Sequence, residues 1–189
     1  MFILLGGCLG LLAGLATGGG FSHLAQIRLR WPWIIVLALV IKEAGVFSPL
    51  ATTALGPWLF VASLAVLIAW TAWHRHVLRG VLVVSAGMAL NLLVVLANLG
   101  HMPVAEQLAH RGVIDLTKQH QIGQYVLAGP DTHLNWLGDW IGLPGALGKV
   151  FPEAYSPGDL LSYLGIVIVM FLATRGAPVR NARSGASVR

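Results

Sequence analysis

Apolar runs long enough to cross a bilayer occur at about Phe2 to Thr17, Trp33 to Phe47, Pro57 to Trp73, Val81 to Leu99 and Leu160 to Thr174. They contain almost no charge, and a helix needs such runs to cover roughly 30 Å of hydrocarbon. The pattern therefore predicts an all-α fold, a bundle of five transmembrane helices, with residues 1–174 as the membrane domain. The segment 100–158 breaks the pattern. It is polar and too long to be a simple connection. Within it, "GPDTHLNWLGDWIGLPG" predicts a short interfacial helix. Pro130 and Asp131 resemble a helix start, Asp131, Asn135 and Asp139 recur at intervals of four, and Leu134, Leu137 and Ile141 form an apolar stripe. Trp136 and Trp140 suit a helix lying on a membrane surface, with Asp139 directed to polar groups there.

Composition agrees with the periodicity. Of 189 residues 57% are hydrophobic and 10% charged, with a mean hydropathy of +0.78, which excludes an ordinary water-soluble domain. Cys8 is the only cysteine, so no internal disulfide and no cysteine-based metal site can form. The net charge of +5 is not gathered into a nucleic-acid-binding patch, and no nucleic acid partner is expected.

The basic residues instead report threading. Arg28 and Arg30, then Arg75 and Arg79, then Arg175, Arg180, Arg183 and Arg189 fall on one side of the expected bundle. The acidic residues, Glu43 excepted, fall on the other with Arg111, Lys118 and Lys149. The positive-inside rule then puts the N-terminus outside and the C-terminus in the cytoplasm of a bacterial inner membrane, with lipids as the expected partners. The first run lacks the basic n-region of a cleaved signal and is read as a span. Residues 175–189 read as a disordered cytoplasmic tail. Gly6, Gly10, Gly14 and Gly18 make a small-residue stripe suited to close helix packing within the chain, with self-association as its other use.

Several polar groups carry candidate chemistry. Lys42 and Glu43 lie within the second run, and a functional role in transport competes with a snorkelling Lys42 near the outer face. Being adjacent on a helix, they are expected to point apart. Gly87, Asn91 and Asn98 share a face of the fourth helix, and Asn91 is expected to hydrogen-bond another helix. Asn98 opens "NLGHMP", where Gly100 permits a sharp turn and Pro103 stops the helix. Asp159 stands at the threshold of the last run, in "YSPGD". It either caps that helix or, drawn to the edge of the apolar layer, shares a proton with a neighbouring group. Capping is favoured by the residue chemistry alone. His101, His110, His120 and His133 show no paired ligand spacing, so neither metal nor cofactor is expected.

"GGGFSHLAQIRLRWPWIIVLALVIKE", "NLGHMP", "LGDWIGLP" and "YSPGD" with Gly165 resemble an uncharacterised bacterial family of short multi-pass membrane proteins, a domain of unknown function. The resemblance runs from Gly18 to Phe171 and implies the architecture, without an activity. His101 inside the turn and Lys42-Glu43, where an uncharged polar residue is usual, depart from it. A shorter stretch is similar to lipoprotein signal peptidases, the membrane aspartyl proteases. Asp139 follows a short outer element and Asp159 opens the last helix, with Gly165 six residues beyond. Ser156 stands in place of that family's Asn, and its Gly-Asn…Asp-Arg element is missing. What this similarity implies is a pair of catalytic carboxyls, Asp139 and Asp159, supported by Asn98, Gly100, Asn135 and Ser156. The expectation is thus an integral membrane protein with an Asp-containing polar site on its outer face, and a membrane aspartyl hydrolase is the alternative.

Overall fold

A computed structural model describes residues 2–47, 49–109 and 121–176. The chain is mostly helical, with seven α-helices among the described residues. They are α1 (Phe2–Ala16), α2 (Phe21–Ala25), α3 (Trp33–Phe47), α4 (Leu55–Trp73), α5 (Val81–Ala97), α6 (Gly145–Val150) and α7 (Pro157–Thr174). Two helical segments, Leu55–His76 and Pro157–Thr174, are long and apolar enough to cross a membrane. Leu4–Ala16 and Val81–Ala97 are shorter and also apolar. The expected tail, at residues 177–189, lies outside the described residues, as do His110, Arg111, Lys118 and His120.

The all-α expectation needs a correction, because the segment after α5 carries two small sheets. In the first, β1 (Met102–Val104) pairs in parallel with β3 (Tyr125–Leu127), and β2 (Gln121–Ile122) pairs antiparallel with β3. In the second, β4 (Ile141–Gly142) pairs antiparallel with β5 (Ala154–Tyr155). The helix expected around Trp136 is also absent; only Asn135–Leu137 forms a single 3-10 turn.

The reason is local competition. Thr132 Oγ1, which accepts from the Gly129 amide at 2.9 Å, has the Gly129 carbonyl at 2.9 Å and Asn135 Oδ1 at 2.7 Å as acceptors for its one proton, while Asn135 Nδ2 donates to the Gly129 carbonyl at 3.1 Å. These bonds fold the segment into a side-chain-stabilised turn instead of a helix. Leu134 then takes a left-handed conformation (φ 56°), which an L-residue helix cannot continue. Trp136 and Trp140 are exposed, and Asp139 is turned inward.

The last helix starts at Pro157, earlier than the apolar run suggests, so Asp159 falls in its first turn. α7 then packs against α5 on one side and α1 on the other. Both contacts rest on glycine. A Cβ at Gly165 would lie 2.5 Å from the Val84 amide nitrogen, and one at Gly158 would collide with Asn91 Oδ1. On the other side Gly6 faces Tyr163, Gly10 faces Val167 and Met170, and Gly14 faces Thr174. The Gly6–Gly10–Gly14 stripe is therefore taken up by α7 of the same chain, while Gly18 has nothing near its Cβ position.

α3 packs on α4, where Gly45 faces the Gly56 carbonyl. Its Lys42 and Glu43 do not point apart as expected. Lys42 Nζ lies 3.5 Å from Glu43 Oε1, because the long lysine stem reaches around the helix.

Gly158→Ala is expected to wedge α5 from α7 and destabilise the protein by about 1–3 kcal/mol, as overpacked cores do. A thermal melt of the purified variant, read against Gly7→Ala, whose position has open space, checks this. Equal melting temperatures for the two variants would refute the close-packing account.

Candidate functional site

The site is assembled from three pieces of chain that the sheets bring together. β1 is the first, and Asp139 is laid beside it by an isolated parallel bridge to Val104. The Asp139 amide donates to the Pro103 carbonyl at 2.8 Å, and its carbonyl accepts from the Ala105 amide at 2.9 Å. Pro103 has no N–H to offer, so on this side β1 contributes its carbonyl to Asp139 and the Ala105 amide that follows. Gly138 permits the approach, since a Cβ there would come within 2.5 Å of the Pro103 carbonyl oxygen. The second sheet is the next piece. Ile141 pairs with Tyr155, which sets the strand leaving Asp139 against the strand that enters α7.

The third piece is the start of α7. Ser156 Oγ accepts from the Asp159 amide at 2.9 Å, and Asp159 Oδ2 accepts from the Ser156 amide at 3.0 Å, forming a reciprocal capping box. Asp159 does more than cap. Its Oδ1 accepts from Asn91 Nδ2 at 2.8 Å, and Asn91 Oδ1 accepts from Ser156 Oγ at 2.8 Å. Asn91, Ser156 and Asp159 thus close a ring of bonds between α5 and α7, with Asn91 and Ser156 buried. A hydrogen bond to an ionised carboxylate contributes about 1.5–3 kcal/mol, more than a neutral one.

Asp139 has the opposite environment. It is 7% exposed, and its Oδ1 is buried without a hydrogen-bond partner. Burial pushes its carboxyl well above the ordinary aspartate range; the Asp159 charge pushes the same way, and Lys42 opposes both. Two carboxyls within each other's electrostatic reach are therefore unequal: Asp159 has both oxygens satisfied by donors, and Asp139 is favoured in its protonated form.

Tyr125 lies within electrostatic reach of both carboxyls. Burial raises its hydroxyl far above the usual phenol value, with the Asp139 charge next in effect, while a side-chain bond with Gln124 acts the other way. Gln124 is 2% exposed, and its Oε1 is a second buried acceptor without a partner.

The remaining expected residues lie elsewhere. Asn98 grips the loop, donating from Nδ2 to the His133 carbonyl at 2.8 Å and accepting at Oδ1 from the His133 amide at 2.7 Å. Gly100 makes the turn after α5 with φ 97°, its α-carbon side against Pro57, but Leu99 before it is also left-handed (φ 55°). Asn135 stabilises the turn at Gly129. The structure gives these three no bond to either carboxyl. Among the described residues no three His, Cys, Asp or Glu side chains gather as a metal-ligand set. His101 lies against the Asn98 carbonyl, and burial lowers its ring below the usual histidine value.

Sequence reasoning expected Asn91 to bond another helix but missed that its partner is Asp159. Gln124 and Tyr125 were missed altogether. The signal was "QIGQYVL", a short alternating run around a glycine turn, with Gly123 at φ 55°.

The raised Asp139 carboxyl has a sign that can be tested. Its folded-state value lies above its unfolded one, so the folded chain holds the proton more tightly. Stability is then highest at or below the unfolded aspartate value and declines as pH rises from there through the raised value. Asp139→Asn is expected to remove this decline, melting higher than wild type at pH 7 and similarly near the unfolded value of 3.8. Parallel melting-temperature profiles for both proteins over that range would contradict the assignment.

No curated protein and no solved structure matches the chain. Residues 26–171, which include α3 to α5, both sheets and α7 almost to its end, match DUF5317, a family of unknown function, and the chain belongs to that family.

Proposed function

We propose that the chain is a multi-pass integral membrane protein in which α1, α3, α4, α5 and α7 cross the bilayer. In this reading the sheets and the Asp139–Asp159 pair lie on the outer face and the arginines face the cytoplasm. The observation that carries it is the surface of the helices. Leu4, Leu12, Val36, Val40, Leu82 and Leu93 are all exposed, and only 17% of the apolar window of α7 is buried within the chain. Contiguous apolar surface on several helices is unfavourable in water and favourable in hydrocarbon. The ends of the helices differ in the same sense, with Arg28, Arg30, Arg75, Arg79 and Arg175 near one end and Asp139, Glu153 and Asp159 near the other.

The test is labelling with a membrane-impermeant maleimide on intact cells, in a Cys8→Ser background. Asp131→Cys is expected to react from outside, and Gln26→Cys only after the membrane is permeabilised. Equal labelling of both before permeabilisation would refute the arrangement.

A second reading, a membrane aspartyl hydrolase acting on a membrane-borne ester or amide, is favoured by the inequality of the two carboxyls. Asp159, its oxygens held by Asn91 and Ser156, would take a proton from water as the water oxygen bonds to the carbonyl carbon. Asp139, protonated, would give its proton to the leaving group as the scissile bond breaks. The products are a carboxylic acid and an alcohol or amine, and the two aspartates then exchange the proton back.

Asp139→Asn and Asp159→Asn, compared with wild type in a strain lacking the chromosomal copy, are each expected to cause the same membrane peptide or lipid to accumulate, in excess of any fall in protein level, since Asn at 159 keeps only one of the two acceptor oxygens that Asn91 and Ser156 use. A membrane composition indifferent to both substitutions would remove the hydrolase reading and leave the membrane reading in place.

A further inference from the structure

The end of the molecule opposite the sheets carries a second constellation, which the carboxyl pair does not involve. The linker from Gln26 to Pro32, between α2 and α3, is fastened to the end of α4 by three hydrogen bonds. Trp70 Nε1 donates to the carbonyls of Arg30 and Trp31, each at 3.1 Å, and the Arg30 amide donates to His74 Nε2 at 3.1 Å. His74 is buried, stacked on Trp70 with ring centroids 4.0 Å apart, and its Nδ1 donates to the Trp70 carbonyl at 2.8 Å. Trp31 is held at φ 53°, a conformation disfavoured for a bulky residue, so the linker is fixed by its bonds and not by its own preference.

The effect of this fastening is to bring two Arg-bearing segments to the same end of the molecule. The bonds set the linker that carries Arg28 and Arg30 against the segment in which Arg75 and His76 directly follow His74, with Arg79 in the turn that leads to α5. All four arginines are exposed. Arg175 joins them from the end of α7, where its Nη2 donates to the Thr17 carbonyl at 2.9 Å. No acidic residue lies in any of these segments. A rigid framework that gathers cations without an internal counter-charge creates a positive field that an external anion would neutralise.

The surroundings narrow the kind of anion. The Arg30 guanidinium lies 4.3 Å from the Trp31 ring centre, and that of Arg175 lies 4.8 Å from the Phe171 ring centre. Trp33 and Trp73 are exposed at the same level, and apolar helix surface continues beyond them. The guanidinium groups therefore sit where an apolar surface meets a polar one. A lipid phosphate occupies that boundary, with its acyl chains along the helices, and indole rings prefer the same depth.

We infer that this face binds the headgroups of anionic phospholipids, centred where the Gln26–Pro32 linker meets the turn between α4 and α5. The inference rests on the membrane reading above and adds a ligand to the cytoplasmic side.

The experiment uses the full chain in lipid nanodiscs of pure phosphatidylcholine or of phosphatidylcholine with phosphatidylglycerol, melted at one ionic strength. Co-migration with the discs is read first, and a chain that stays out of them overturns the membrane reading and this inference together. With the chain inserted, the melting temperature is expected to rise by several degrees in the anionic discs. Arg30→Gln/Arg75→Gln/Arg79→Gln should abolish that rise, and Arg75→Lys/Arg79→Lys should keep most of it. The same melting temperature in both discs, or a rise that survives the triple glutamine variant, would overturn the lipid site alone. So would an equal rise in neutral discs on adding inorganic phosphate, because the ligand would then be a soluble anion.

Discussion

The close approach of α5 and α7 is the contact on which the rest depends. Gly87, Gly158 and Gly165 remove the side chains that would hold these helices apart, and backbone meets backbone. Only at that distance can the Asn91 amide span from α5 to both Ser156 and Asp159. The bond ring in turn fixes the entry angle of α7, and so the direction of β5, which ends at Tyr155. A polar network placed between apolar helices is stabilising only if its members are satisfied, and here both Asn91 and Asp159 find partners for the atoms they present to each other. Small residues and a hydrogen-bonding amide are the devices by which helices associate where no hydrophobic driving force separates them from their surroundings.

The carboxyl pair is a consequence of that geometry. β5 is anchored by α7, β4 pairs with β5, and the chain entering β4 passes Asp139, whose backbone is pinned to β1. Each step constrains the next, so Asp139 is carried into the interior by its backbone bonds even though its own side chain gains no partner at Oδ1. A carboxyl kept in such a place is costly in its charged form. Asn91 and Ser156 give the Asp159 oxygens donors, while burial without a partner at Oδ1 raises the Asp139 carboxyl; the difference in surroundings is one of neighbours and not of residue type.

The two ends of the molecule solve different problems. At the sheet end, short strands and side-chain turns bury polar groups; at the arginine end, one buried histidine and one tryptophan hold a strained linker so that exposed cations stand together. Between them the helices present apolar side chains outward.

Helical character was legible in the sequence because apolar content and run length are summed over many residues, and the ranges of α1, α3, α4 and α5 follow from it to within two residues. Capping of α7 was legible too, since "YSPGD" carries the serine and the aspartate at the spacing a capping box requires. The segment after α5 was not. Its strands are two or three residues long, and they exist because of partners distant in sequence, as with Val104 and Asp139. The interval of four among Asp131, Asn135 and Asp139 mimicked a helix, but Thr132 and Asn135 had a nearer backbone carbonyl to bond. The sequence by itself determined the apolar helices, the opposite distribution of arginine and carboxylate, and the cap on Asp159. Only the tertiary structure decided that Asp139 is buried, that Asn91 holds Asp159, and that Tyr125 comes within electrostatic reach of both carboxyls. Burial and desolvation are set by what the folded chain packs around a group, and no local pattern encodes them.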